Sequence, residues 1–204
     1  MRTLATMLCL TAALPARADA PASPPTAPAP PPVPDDFDLL PPPPPPNPAA
    51  VKAQEDLDKT LRLRRRMLVL HQGVGLAALA TLGATVVLGQ LNYVDKYGGG
   101  GDTGRYYNWH VGLVITSSTL FAATGGLGLF APSPLDKKLQ LDTATVHKAL
   151  MATATAGMSA EIVMGLVTKA QEGHLVQRDW ALAHQVVGWT TFGAMALGFG
   201  VLLL

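Results

Sequence analysis

RRRMLVLHQGVGL, residues 64 to 76, sets three arginines against a charge-free run and places a histidine five residues past the last of them. The run continues without charge to Asn92, long enough for a membrane helix, which needs about 20 apolar residues. An imidazole gains little from hydrocarbon, so a histidine inside such a segment marks a functional site by default. What His71 does there is the question that organises the rest of the chain.

The same arrangement returns three times. Charge-free or nearly charge-free spans run over about 67–92, 107–130, 143–168 and 180–204. The connectors between them are polar or glycine-rich: NYVDKYGGGGDTGRYY, APSPLDKKLQLD and KAQEGHLVQRD. Pro132 and Pro134 fall in the second connector and no proline falls inside a span, as helices require. All four tyrosines and Trp109 gather around the first connector, and Trp180 opens the last span, the depth at which membrane interfaces favour aromatics. The chain reads as an all-α membrane protein, a four-helix transmembrane bundle over 64–204.

What precedes the bundle has a different composition. Residues 1–18 combine a basic start, a short apolar core and the small-residue site Ala16-Arg17-Ala18, the pattern of a cleaved secretory signal peptide. Residues 21–48 hold 15 of the 18 prolines; with few donors and little to bury, such a stretch is expected to be extended and solvated. Residues 19–63 thus read as a disordered proline-rich segment followed by a charged lead-in. The only cysteine, Cys9, lies in the signal peptide. A mature chain without thiols excludes disulfides, thiolate zinc sites, cysteine-bound iron–sulfur clusters and covalently attached haem. The net charge of +1 gives no sign of nucleic acid.

Of five histidines, His174 falls in the third connector, where a solvated side chain is the plain reading. The other four, His71, His110, His147 and His184, fall one per span, each within a few residues of its start and 39, 37 and 37 residues apart. Consecutive helices run in opposite directions, so His71 and His147 share one membrane face and His110 and His184 the other. Facing imidazoles from neighbouring bundle helices are a usual way to hold a haem iron by two axial nitrogens. Matched depth in four consecutive spans argues against four unrelated interfacial histidines.

Two further patterns agree. Seven residues past each histidine, two turns along the same face, stand Ala78, Ser117, Ala154 and Thr191, which would leave room for a macrocycle; small residues also serve helix contact. His71-Gln72-x-Val74-Gly75 and His184-Gln185-x-Val187-Gly188 repeat as HQxVG. Basic side chains that could meet haem carboxylates precede or follow each histidine: Arg66, Arg105, Arg178 and Lys148. The remaining charge inside a span is Glu161, 14 residues past His147 and so about 21 Å deeper, near the level of the opposite pair. It is a candidate for proton uptake or for a substrate site.

On these residues the chain resembles the cytochrome b561 family and related ferric-reductase-type cores, over about 64–204. The family's SLHSW-like stretch around one ligand reads ALAHQVVGW here. The resemblance implies two non-covalent b-type haems, one on His71 and His147 and the second on His110 and His184, and electron transfer across a bilayer. Donor and acceptor stay open among a quinone, ferric iron and a periplasmic redox protein reached by the proline-rich segment, as does a homodimer. The location implied is a bacterial inner membrane. The signal peptide places the mature N-terminus in the periplasm, whereas eight Lys and Arg on that side against four on the other favour the reverse; the signal peptide is taken to decide, since arginines near haem have their own use. The rival is a transporter or sensor whose histidines handle a transition metal or protons.

Overall fold

The computed structural model describes residues 47–133 and 140–203. The expected signal peptide and the proline-rich stretch up to residue 46 lie outside them, as do Lys137 and Lys138. Four helices follow one another: α1 (Pro48–Tyr97), α2 (Tyr107–Leu129), α3 (Thr143–Ala170) and α4 (Gln177–Gly200), with a closing 3-10 turn at Val201–Leu203. There is no strand among the described residues. All four helices are long and apolar enough to cross a membrane, and the chain is an all-α, multi-pass membrane protein. Large apolar side chains such as Trp109, Ile115, Leu166 and Val186 point outward, as a lipid-facing surface demands.

The ends of α2, α3 and α4 fall within a turn of the sequence expectation. α1 does not. It begins 19 residues before the expected start at 67 and runs for 50 residues, roughly 75 Å. Charge marks where the membrane ends, not where the helix ends. Residues 49–66 are almost all good helix formers, and pairs one turn apart link Lys59 to Asp56 at 3.1 Å and Gln54 to Asp58 at 3.1 Å. Asn47 caps the helix through its side chain, with Pro48 in the first turn. The charged lead-in is therefore helical and continuous with the first span.

α1 packs on α2, α3 packs on α4, and α1 against α4 joins the two hairpins. No comparable backbone approach joins α2 to α3, which meet through side chains such as Ser118 Oγ on Met158 Sδ at 3.8 Å. The residues seven past each histidine are all deeply buried: Ala78 1%, Ser117 1%, Ala154 0% and Thr191 2% exposed. Ala78 and Ala154 belong to the apolar core with Leu82, Val86, Met158, Ala194 and Met195. The smallness of these two serves close helix contact at the bundle centre, while Ser117 and Thr191 line a cavity at one histidine level. The α1–α2 loop is held by Asp95, 6% exposed, whose carboxylate accepts from Thr103 Oγ1 and from the Gly104 N–H at 3.0 Å each. Gly99 and Gly101 adopt positive φ of 87° and 89° there, which glycine adopts without strain.

Candidate functional site

The structure brings the four span histidines together in the two expected pairs. The rings of His71 and His147 lie 6.3 Å apart between centroids, at an interplanar angle of 80°. Those of His110 and His184 lie 6.2 Å apart at 83°. His174 is exposed in the α3–α4 turn.

Each ring is oriented from within its own hairpin. His71 Nδ1–H donates to the Thr124 carbonyl at 2.8 Å, and His110 Nδ1–H to the Thr85 carbonyl at 3.0 Å. His147 Nδ1–H donates to the Gly198 carbonyl at 2.8 Å. A carbonyl can only accept, so these bonds fix the tautomer and leave Nε2 with its lone pair free to coordinate. His184 differs: its Nδ1 lies 3.1 Å from Glu161 Oε2, in a direction that makes no hydrogen bond, so Nδ1 and Glu161 Oε1 both remain buried and unpartnered.

A regular spacing underlies this. Thr85, Thr124, Glu161 and Gly198 each stand 14 residues past the histidine of their own helix, and each meets the histidine of the adjacent antiparallel helix. Eighteen residues past the histidine, three of the helices carry a glycine: Gly89, Gly128 and Gly165. A Cβ at Gly89 would come within 2.9 Å of His110 Cε1, and one at Gly128 within 3.1 Å of His71 Nδ1. These glycines let the imidazoles reach the backbone. The sequence reading missed them, although counting forward from each histidine would have found the repeat.

The two levels are roughly 21 Å apart along α1, the rise over the 14 residues from His71 to Thr85. Glu161 lies at the level of the opposite pair, as its spacing predicted. The basic candidates fare differently. Arg66, Arg105, Lys148 and Arg178 are all exposed. Arg105 stacks on the Tyr106 ring at 4.5 Å and donates to its hydroxyl. Arg64, not singled out by sequence, donates to the Pro132 carbonyl at 2.7 Å and to Ser133 Oγ at 2.9 Å.

A cavity of about 740 Å³ opens around His110 and His184, within the range of small-molecule sites. Its deep end is lined by Leu82, Val86, Val114 and Met158, and its mouth by Lys96, Tyr97, Thr168 and Lys169.

The geometry can be tested against an iron. Imidazole nitrogens sit about 2.0 Å from a bound metal ion, and a ring of ~1.33 Å bonds places its centroid about 1.1 Å from each nitrogen. One metal between two Nε2 atoms therefore sets centroids roughly 6.2 Å apart, which is the spacing at both levels. A bare zinc ion asks for at least three protein ligands. No group of three or more His, Cys, Asp or Glu suited to a metal occurs among the described residues. Paired histidines alone fit a metal that brings its own equatorial ligands. Compared with protein-family models, curated proteins and solved structures, the chain matches none.

Proposed function

We propose that this chain is a dihaem transmembrane electron-transfer protein, resembling the cytochrome b561 family, with one b-type haem between His71 and His147 and another between His110 and His184. The observation that carries the reading is the pairing of four histidines into two facing couples, each spaced for a single six-coordinate iron. The haems would supply one-electron chemistry at two depths of the bilayer.

The chain's own residues do the rest. The carbonyls of Thr85, Thr124 and Gly198 hold three Nδ1–H groups and so present Nε2 in fixed orientation. Gly89 and Gly128 give the rings room. The apolar deep end of the cavity excludes water from the redox site and lowers the local dielectric, which tunes potential. Glu161 places a carboxylate beside one ligand of the pair at that end.

We place the protein in a bacterial inner membrane with its mature N-terminus in the periplasm, the side on which a periplasmic redox protein would be met. A quinone, ferric iron or a partner protein would complete the electron path. The test is an oxidised-minus-reduced absorption spectrum of the detergent-purified chain, with haem per polypeptide measured. Two low-spin b-type haems per chain are expected. A chain that holds no haem, purified from a host able to supply it, sinks the reading.

A further inference from the structure

Four buried side-chain polar atoms among the described residues lack a hydrogen-bond partner: Tyr97 Oη, Thr168 Oγ1, Glu161 Oε1 and His184 Nδ1. All four residues line the one cavity of about 740 Å³. Buried polar groups without partners are costly and rare, so their gathering at a single cavity calls for an occupant that satisfies them.

Glu161 and His184 belong to the histidine level already described. Tyr97 and Thr168 stand about two turns further toward the membrane surface, the first eight residues past Gly89 and the second seven past Glu161. Thr168 differs from many threonines further inside the helices. Thr81, Thr85, Thr116, Thr124, Thr153 and Thr191 each donate their hydroxyl to the carbonyl four residues back; Thr168 keeps its hydroxyl uncommitted.

The charges at this mouth complete the picture. Lys96 lies 3.5 Å from Glu172, whose side chain is 68% exposed, so that pair is loose and solvated. Lys169 meets the Tyr107 ring at 5.9 Å and, among the described residues, no carboxylate within ion-pair distance. Asp102 also lines the mouth. Two hydroxyl donors and an ammonium thus line the outer end of a cavity whose inner end is apolar, beside Asp102 and the Lys96–Glu172 pair. That polarity suits an amphipathic ligand with an apolar body held deep and anionic oxygens held at the surface.

We infer that Tyr97 Oη, Thr168 Oγ1 and Lys169 bind the carboxylates of the haem seated between His110 and His184, in place of Arg105 and Arg178. The inference rests on the proposed function. A carboxylate accepts from both hydroxyls and takes the ammonium as its counter-charge. Arg105 is engaged with Tyr106, and neither Arg105 nor Arg178 lines the cavity.

The experiment measures, on the full-length chain in detergent, the rate at which each haem passes to an excess of an apo haem-scavenging protein. Two double variants are compared, Tyr97→Phe with Thr168→Val and Arg105→Gln with Arg178→Gln. The haem at His71 and His147 serves as internal control of folding. Loss of one haem of the two is expected to be about tenfold faster or more in the Tyr97/Thr168 variant, since hydrogen bonds to charged groups are being removed. The arginine variant should lose it at the parent rate. Repeating the transfer with haem dimethyl ester, which has no free carboxylates, should erase the difference between the Tyr97/Thr168 variant and the parent, a result that mere loosening of the bundle would not give. Faster loss only in the arginine variant, or a difference that persists with the ester, overturns the assignment. A parent chain that never holds haem defeats the proposed function instead.

Discussion

At the His71/His147 level, both Nδ1 atoms are held by backbone carbonyls, those of Thr124 and Gly198. At the His110/His184 level one Nδ1 is held by the Thr85 carbonyl, and the other faces the Glu161 carboxylate at 3.1 Å. The ring separations agree to 0.1 Å, 6.3 against 6.2 Å. The same spacing rule has thus been used four times, and at one position a side-chain carboxyl stands where the other three have a backbone carbonyl. Geometry is set by the backbone and is common to both ends. Charge is set by one side chain and belongs to one end only.

On the proposed function, the largest expected effect comes from removing a haem ligand. Replacing His184 by Ala should halve the haem content and leave the His71/His147 haem with its spectrum intact; loss of both haems, or of neither, would break the independence of the two levels. Next comes the room around the rings. Gly89→Ala puts a methyl 2.9 Å from His110 Cε1, and overpacking of this kind costs typically 1–3 kcal/mol. Gly165→Ala meets His184 only at 3.5 Å and should be tolerated, with helix propensity slightly in its favour. Thermal unfolding of the two variants, followed by the haem band of each level, measures the contrast.

A smaller effect sharpens the comparison itself. Glu161→Gln removes a negative charge beside one ligand, which disfavours the oxidised iron and raises one midpoint potential. A shift of tens of millivolts is expected, given about 59 mV for each tenfold change in relative affinity for the two oxidation states. Redox titration should show the second potential unmoved; equal shifts in both would mean that Glu161 does not distinguish the levels. The smallest effect belongs to Arg64→Gln. Loss of its bonds to Pro132 and Ser133 should lower stability by about 1 kcal/mol or less for such a partly exposed contact, with both haem spectra unchanged.

The four spans were legible in the sequence because near-freedom from charge over 20 or more residues has one common physical cause. The pairing of His71 with His147 and of His110 with His184 followed from helix alternation alone. The start of α1 was not legible by the same means, since Lys, Glu and Arg are as comfortable in a solvated helix as Leu is in a buried one. Nor were the partners of Nδ1. A backbone carbonyl has no letter of its own, and Thr85 and Thr124 serve through main-chain atoms that any residue would supply. Only the glycines four residues further on betray them. The basic residues nearest the histidines in sequence were weighed by proximity along the chain, which says little about which side of a helix faces a cavity; Lys169 and Thr168, 15 and 16 residues from His184, line it, and Arg178 does not.

One feature of the pairing bears on how the molecule comes together. Every histidine is oriented inside its own hairpin, by α1 for α2 and by α3 for α4 and the reverse, yet each couple takes one member from each hairpin. Between the hairpins the protein itself offers chiefly the α1–α4 seam. A cofactor seated at either level would therefore fasten the two halves to each other. Either level alone would serve, so a chain holding a single haem would already have its hairpins clamped across the bundle, and the second haem would be a second, separate clasp.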